Sequence, residues 1–188
     1  QAVLCARRAP APRVVAVGRD AELARRLGLE WCPMGAALPE GPLDTVVALA
    51  GLERQPAEGG LADLLAVVHA LGRRHDEPRL IVATRTAEMV RADDGPDPET
   101  AALQGFVRTL ALEEPGLRAR TVDLDDAALP ALAAELLLPD GDDRVAWRQG
   151  RRYVPRLAAV TQATPAVPVE LASDLSLVPQ AMPRPGPG

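Results

Sequence analysis

Short runs of Val, Leu, Ile and Ala alternate with longer segments of helical period from residue 13 to residue 157, and no other feature narrows the fold as much. Residues 13–17, Arg-Val-Val-Ala-Val, form an apolar, β-branched run followed by Gly18, Arg19 and Asp20. Asp20 is placed to cap a helix over 21–27 that Gly28 stops. An edge strand is expected at 29–31 and a buried strand at 45–50. Gly59 and Gly60 introduce a helix from Leu61 to about Arg74, with apolar residues at 61, 64, 65, 68 and 71 on one face. Residues 79–84 read as a central strand, and Pro96 and Pro98 precede a helix that Pro115 and Gly116 end after Glu114. A strand over 118–124, a helix over 127–138 with Pro130 in its first turn, and a last pair of strands at 144–147 and 153–157 around Gln149 and Gly150 complete the series. Strands alternating with helices of about ten to fifteen residues build a parallel sheet covered on both faces, so the expected fold class is α/β, a doubly wound Rossmann-like sheet.

Composition supports that reading. Hydrophobic residues make up 47% of the 188 but aromatics only 2%, so the core must be aliphatic, as suits buried parallel strands. One domain is expected over residues 1–160. Beyond residue 161 the chain turns to Pro, Ala, Ser and Val with little periodicity, the composition of a linker or of the edge of another domain. The start at Gln1, without an initiator methionine, suggests a piece of something longer.

Several function classes are disfavoured by charge and spacing. The formal charge is −5 and every basic side chain but histidine is an arginine, because the chain contains no lysine; a nucleic-acid surface needs a basic patch with stacking aromatics. Cys5 and Cys32 form no CxxC pair, and His69 and His75 are too far apart to share a helical face as metal ligands, so no metal site is expected. Charges or prolines interrupt every apolar stretch before the roughly eighteen residues of a membrane span, and no signal-peptide core is present, which gives a cytoplasmic expectation.

The turn after the first strand should reveal a dinucleotide site, because a pyrophosphate approaches the backbone there too closely for side chains. It reads Gly18-Arg-Asp-Ala-Glu22, a lone glycine followed by two carboxylates, which disfavours a diphosphate. Arg19 could pair with a phosphate, but a solvated turn arginine is the simpler expectation. Asp140-Gly-Asp-Asp143 resembles part of a calcium loop without its spacing or closing glutamate, so a polar turn is expected. Asp123, Asp125 and Asp126 fall at a strand's carboxyl end, where active sites gather in such sheets; with no base or nucleophile beside them, capping of the next helix is expected. Thr84 and Thr86 follow the central strand. Tyr153, the only tyrosine, lies in an arginine-rich extended segment and is expected to pack. Arg7 and Arg8, Arg73 and Arg74, and Arg151 and Arg152 come in pairs that would suit an acidic partner or simply face solvent.

Two motifs carry a family resemblance: Ala102-Leu-Gln-Gly-Phe-Val-Arg-Thr-Leu-Ala-Leu-Glu-Glu-Pro115 and Arg148-Gln-Gly-Arg-Arg-Tyr-Val-Pro-Arg-Leu157. With Leu43-Asp-Thr-Val-Val-Ala-Leu49, Pro78-Arg-Leu-Ile-Val-Ala-Thr-Arg85 and Val122-Asp-Leu124, they resemble the structural, non-catalytic subdomain of type I polyketide synthase ketoreductases, in the family's order. The catalytic relatives carry Tyr-x-x-x-Lys, the lysine directly before the small-small-Leu-x-Gly step. Here Pro96 and Thr100 hold those positions. A phenol kept acidic by a neighbouring ammonium is what would protonate the developing alkoxide, and neither group is present. The resemblance therefore implies no catalytic, cofactor-binding or metal-binding residue in this chain, and a scaffold that supports an NADPH-dependent catalytic ketoreductase half. The segment Leu171-Ala-Ser-Asp-Leu-Ser-Leu-Val-Pro179, with Pro-Gly-Pro-Gly188 beyond it, resembles the start of an enoylreductase domain. Implied partners are the catalytic half and the enoylreductase, dehydratase and acyl carrier protein of the same module. The alternatives are a carrier-protein docking module and a divergent reductase using Asp123, Asp125 and Asp126.

Overall fold

The computed structural model describes residues 12–137 and 142–157. Cys5, Arg7, Arg8, Leu138, Asp140, Gly141 and the segment 161–188 lie outside the described residues.

Seven strands form one sheet: β1 (Val14–Gly18), β2 (Glu30–Pro33), β3 (Thr45–Gly51), β4 (Arg79–Arg85), β5 (Arg120–Leu124), β6 (Arg144–Arg148) and β7 (Arg151–Tyr153). Their spatial order is β2-β1-β3-β4-β5-β6-β7, which puts β4 at the centre as its sequence suggests. The first six pair in parallel and β7 runs antiparallel to β6. The chain moves outward from β1 to β2 and then crosses back to β3, so the carboxyl ends of β1 and β3 flank a topological switch point, where open α/β sheets place their ligands.

Period-two alternation divides the core between the two faces. Val15, Val17, Val46, Ala48, Leu80 and Val82 face one way and meet helices α2 (Ala57–Leu71) and α3 (Pro98–Glu113) through Leu64, Val67, Leu71, Leu103, Val107 and Leu110. Ala16, Val47, Leu49, Ile81, Ala83, Val122 and Leu124 face the other way, toward α1 (Ala21–Arg26) and α4 (Ala131–Leu137) through Leu23, Ala24, Leu132 and Leu136. Both sides of each central strand are therefore covered by apolar side chains. The expected doubly wound sheet is the observed one.

Local signals place the helix starts. Asp20 caps α1 by accepting from the Glu22 and Leu23 amides. Asp97 caps α3 from the Glu99 amide, with Pro98 at the first helical position, where its missing N–H has no bond to lose.

Four boundaries differ from expectation for identifiable reasons. Helix α2 begins at Ala57 and runs through both glycines, because Gly60 lets Leu103 of α3 approach until an added Cβ would stand 3.4 Å from its methyl carbons. Its buried face is Gly60, Asp63, Leu64, Val67 and Leu71, while Leu65 is 42% exposed. The expected helix over 127–138 is split into a 3-10 turn at Asp126–Ala128 and α4, since Pro130 has no N–H to donate back to residue 126. The final strand is Arg151–Tyr153 rather than 153–157 because Gln149 (φ 51°) and Gly150 (φ 73°) form a two-residue turn that pairs Arg148 directly with Arg151. The strand expected from 118 starts at Arg120, because Arg118 takes a left-handed conformation (φ 44°) after the 3-10 turn Pro115–Leu117.

Gly51 closes β3 where its register against β4 shifts, and an added Cβ would lie 2.7 Å from the Ala83 carbonyl oxygen. Backbone cannot retreat as a flexible side chain does. Gly51→Ala is expected to destabilise the chain by about 2 kcal/mol, seen as a lowered midpoint in thermal or urea unfolding.

Candidate functional site

The carboxyl edge of the sheet, where this fold builds its active sites, is crowded with internally paired polar groups. Asp123, at the end of β5, is fully buried. Its Oδ1 accepts from the Thr84 hydroxyl at 2.7 Å and the Ala87 amide at 2.9 Å; its Oδ2 accepts from the Glu88 amide at 3.0 Å and Arg148 Nη2 at 2.5 Å. Arg148, 4% exposed at the end of β6, also donates to the Glu88 carbonyl at 2.7 Å and lies 3.3 Å from Asp94 Oδ2. Gln104 Nε2 of α3 donates to the Thr84 hydroxyl oxygen at 3.3 Å. Burial works against the charge of the Asp94 carboxyl, but the Val90 and Arg91 amides and Arg148 outweigh it and hold the group below its ordinary range.

The three aspartates thus do separate work, and none caps the following helix with its side chain. Asp123 pins the loop after β4 and pairs with Arg148. Asp125 Oδ2 accepts from the Gln149 amide at 2.7 Å and stabilises the left-handed turn of the last hairpin. Asp126 is mostly exposed and pairs with Arg85. Burial, then the charges of Arg54 and Arg26, lower the Arg85 pKa below the usual guanidinium value. Thr86 has a left-handed backbone (φ 47°) and its carbonyl accepts from the Asp97 amide. Tyr153 is half-buried on β7 opposite Ala146 and lines a groove of about 260 Å³ with Met89, Val90, Val145 and Pro155.

At the switch point, two amides of the first turn are already taken from within the chain. Glu53, in the loop after β3, places Oε1 2.6 Å from the Arg19 amide and 2.9 Å from the Asp20 amide. Arg19 is the solvated turn arginine expected, its side chain 62% exposed, but it is also paired: Asp63, 5% exposed on α2, holds its Nε and Nη2 at 2.8 and 2.6 Å. That hydrogen bond and the Asp63 charge raise the Arg19 pKa above its ordinary value.

The other candidates stand apart from this edge. His69 and His75 are exposed, and among the described residues no group of three or more His, Cys, Asp or Glu side chains could hold a metal ion. Asp142 holds Arg152 and Arg156 at 3.0 and 2.8 Å. In each described arginine pair one member is tied down, Arg74 to Asp76 and Arg152 to Glu135, while Arg73 and Arg151 are exposed. The Cys32 thiol is buried, which pushes its pKa up. Among the described residues no helix is long and apolar enough to cross a membrane.

Residues 2–157 match the model of the Rossmann fold domain of the polyketide synthase extender module SpnB. The chain belongs to this family. Part of this polyketide synthase domain is 40% identical, over 104 residues, to a subunit of the phenolphthiocerol/phthiocerol polyketide synthase of Mycobacterium tuberculosis; the match covers 53% of the chain and 7% of that protein. It is 42% identical over 81 residues to phthioceranic/hydroxyphthioceranic acid synthase of Mycobacterium bovis, covering 43% of the chain and 4% of the relative. The chain thus spans less than a tenth of the curated relatives it matches. Among solved structures it superimposes on the first ketoreductase of the tylosin polyketide synthase with TM-score 0.62 and 28% identity, over 77% of this chain and 38% of that one. A structure of A-type ketoreductases from a modular polyketide synthase shares the fold, with TM-score 0.69 and 23% identity over 83% of this chain and 40% of that one.

Ketoreductases imply a nicotinamide cofactor, and the first turn of this domain does not fit its phosphates. The two amides that would meet an oxyanion are held by Glu53, and Asp20 and Glu22 add like charge beside them. At the tyrosine and lysine positions, Pro96 is exposed ahead of α3, and the Thr100 hydroxyl donates to the Arg85 carbonyl at 2.9 Å. Sequence reasoning missed Glu53, Arg148 and Glu135. For Glu135 a signal existed, since it falls on the buried stripe of α4 with Leu132 and Leu136.

Proposed function

We propose that this polyketide synthase domain is a non-catalytic scaffold for an NADPH-dependent β-ketoacyl reduction carried out by another part of the megasynthase. One observation carries the reading: the positions that would supply the proton hold an exposed Pro96 and a Thr100 whose hydroxyl is spent on the Arg85 carbonyl, and the amides of the first turn that would grip the coenzyme are taken by Glu53. The ketoreductase structures this chain resembles are each about two and a half times as long as the part it matches, which leaves room in them for a second half. The partner in this reading is that catalytic half.

The outer faces of α2 and α3 suit such a partner. Ala62, Leu65 and Ala66 on α2, and Gly105, Thr109 and Leu112 on α3, are exposed and carry no charge; Leu112 is 84% exposed. Burying this face would give the catalytic half a rigid support. Leu65→Asp with Leu112→Asp is expected to leave the stability of this chain within about 0.5 kcal/mol, as exposed substitutions do. Binding to a separately expressed catalytic half should weaken by roughly a hundredfold, from two desolvated carboxylates. Titrating NADPH against the 188-residue chain is the direct test of the cofactor-free reading. No saturable binding is expected, and stoichiometric binding overturns the proposal.

Charged anchors also set the acid limit. Arg74, bonded to Asp76 at 2.6 and 2.8 Å, holds that carboxyl well below the usual range, helped by the Leu43 amide at 2.7 Å. A depressed folded-state pKa gives stability that is complete above the unfolded value of about 3.9 and is lost as pH falls toward the folded value. Urea unfolding is therefore expected to show the contribution of this group intact from neutral pH to about pH 5 and falling below about pH 4, a decline that Asp76→Asn reduces.

A further inference from the structure

We infer that Glu53 is an internal anion that has taken the place of a cofactor phosphate in the turn between β1 and α1, and that the folded switch point depends on it. Two successive amides, of Arg19 and Asp20, converge on its Oε1 at 2.6 and 2.9 Å. Gly18 makes the approach possible. A Cβ there would lie 2.5 Å from the same oxygen, and Gly18 is not among the positive-φ glycines, so space rather than backbone conformation calls for glycine. In a phosphate-binding turn the glycine admits a ligand oxygen; here it admits an oxygen of the chain's own side chain.

The carboxylate also joins two elements. The loop carrying Glu53 is drawn onto the β1 turn, and the same turn is held from α2 by the two bonds from Arg19 to Asp63. Gln55 extends the tie, donating to the Ala50 carbonyl and to Asp63 Oδ2, both at 3.3 Å. A charged acceptor forms stronger bonds to amides than a neutral one, so the turn keeps the order that a bound coenzyme would otherwise impose.

This inference rests on the cofactor-free reading of the turn, and its test reads stability rather than reduction. In the 188-residue chain, Glu53→Ala is expected to lower the unfolding midpoint. Sodium formate or inorganic phosphate should restore it saturably, against sodium chloride of equal ionic strength, while the wild type responds alike to all three. Gly18→Ala should shift the unfolding constant at least about threefold less in the Glu53→Ala background than in the wild type, because its tightest contact, at 2.5 Å, has gone and only that with Leu49 Cβ at 3.0 Å remains; in a Glu53→Gln background, which keeps the volume, the full cost should remain. An alanine variant as stable as the wild type, or equal Gly18→Ala costs in both backgrounds, overturns the inference. If the alanine variant does not fold in any of the salts, hydrogen exchange on the wild type decides: Arg19 and Asp20 amides protected like that of Val17 support the inference, and exchange at open-turn rates overturns it. A chain that fails these tests yet supports its catalytic half leaves the scaffold reading standing.

Discussion

Asp123→Ala is expected to be the most damaging single substitution in this chain, costing about 3–5 kcal/mol of a typical domain stability of about 5–15 kcal/mol. The reason is what stays behind. Arg148 is 4% exposed and would keep its charge beside Asp94 at 3.3 Å, without the carboxylate oxygen now 2.5 Å from its Nη2. The Thr84 hydroxyl and the Ala87 and Glu88 amides would lose their acceptor as well. Each orphaned buried donor costs about 1–3 kcal/mol, more than the loss of Asp123's own packing. Asp123→Asn should be nearly as harmful, since its amide would turn a donor toward either Arg148 or the loop amides. Removing both charges in Asp123→Leu with Arg148→Met should recover only the part of the loss that comes from the unpaired Arg148 charge, because the Thr84 hydroxyl and the Ala87 and Glu88 amides stay without their acceptor. Urea unfolding of the two single variants and the double variant measures the coupling directly. If the double variant is less stable than Asp123→Ala, the cost lies in shape rather than in charge.

That network also marks where sequence reading ends. The sheet was legible because each central strand is a continuous apolar run covered on both faces, and the start of α1 was legible because Asp20 acts within three residues of itself. The partners of the charged side chains were not. Arg148 lies 25 residues from Asp123, Glu53 lies 34 from Arg19, and Arg144 lies 56 from Glu88, so no local pattern links them. Taken singly, each reads as a solvated surface group. Asp123, like Glu135, offered a warning, because all five residues of β5 are buried and a carboxylate in such a strand requires a partner. The expectation of helix capping assigned it to its nearest neighbours in sequence, whereas the sheet brings β4 and β6 to either side of it.

Glu135→Ala tests the same principle at the far side of the sheet, with an expected loss of about 3–4 kcal/mol. Glu135 is fully buried on α4 and gathers donors from three residues: Arg120 Nη2 at 2.9 Å, Trp147 Nε1 at 2.8 Å, and Arg152 Nε at 2.6 Å with its Nη2 at 3.4 Å. These come from β5, β6 and β7, so a single carboxylate ties the helix to the last hairpin. Arg120, 4% exposed, would keep its bond to the backbone carbonyl of residue 135 at 3.0 Å and Arg152 would keep Asp142 at 3.0 Å, whereas the Trp147 indole N–H on β6 would lose the carboxylate it donates to. The damage should therefore be uneven. Hydrogen exchange in the variant is expected to accelerate first in β6 and β7, while β1, β3 and β4 exchange only with global unfolding. Trp147 should report the change through its fluorescence as its indole loses its acceptor. Glu135→Gln keeps one acceptor but offers an amide to cationic neighbours, so it should fall between the wild type and the alanine variant. A uniform rise in exchange across all seven strands would instead mean that the hairpin and the central sheet unfold as one unit, with Glu135 merely one contact among many.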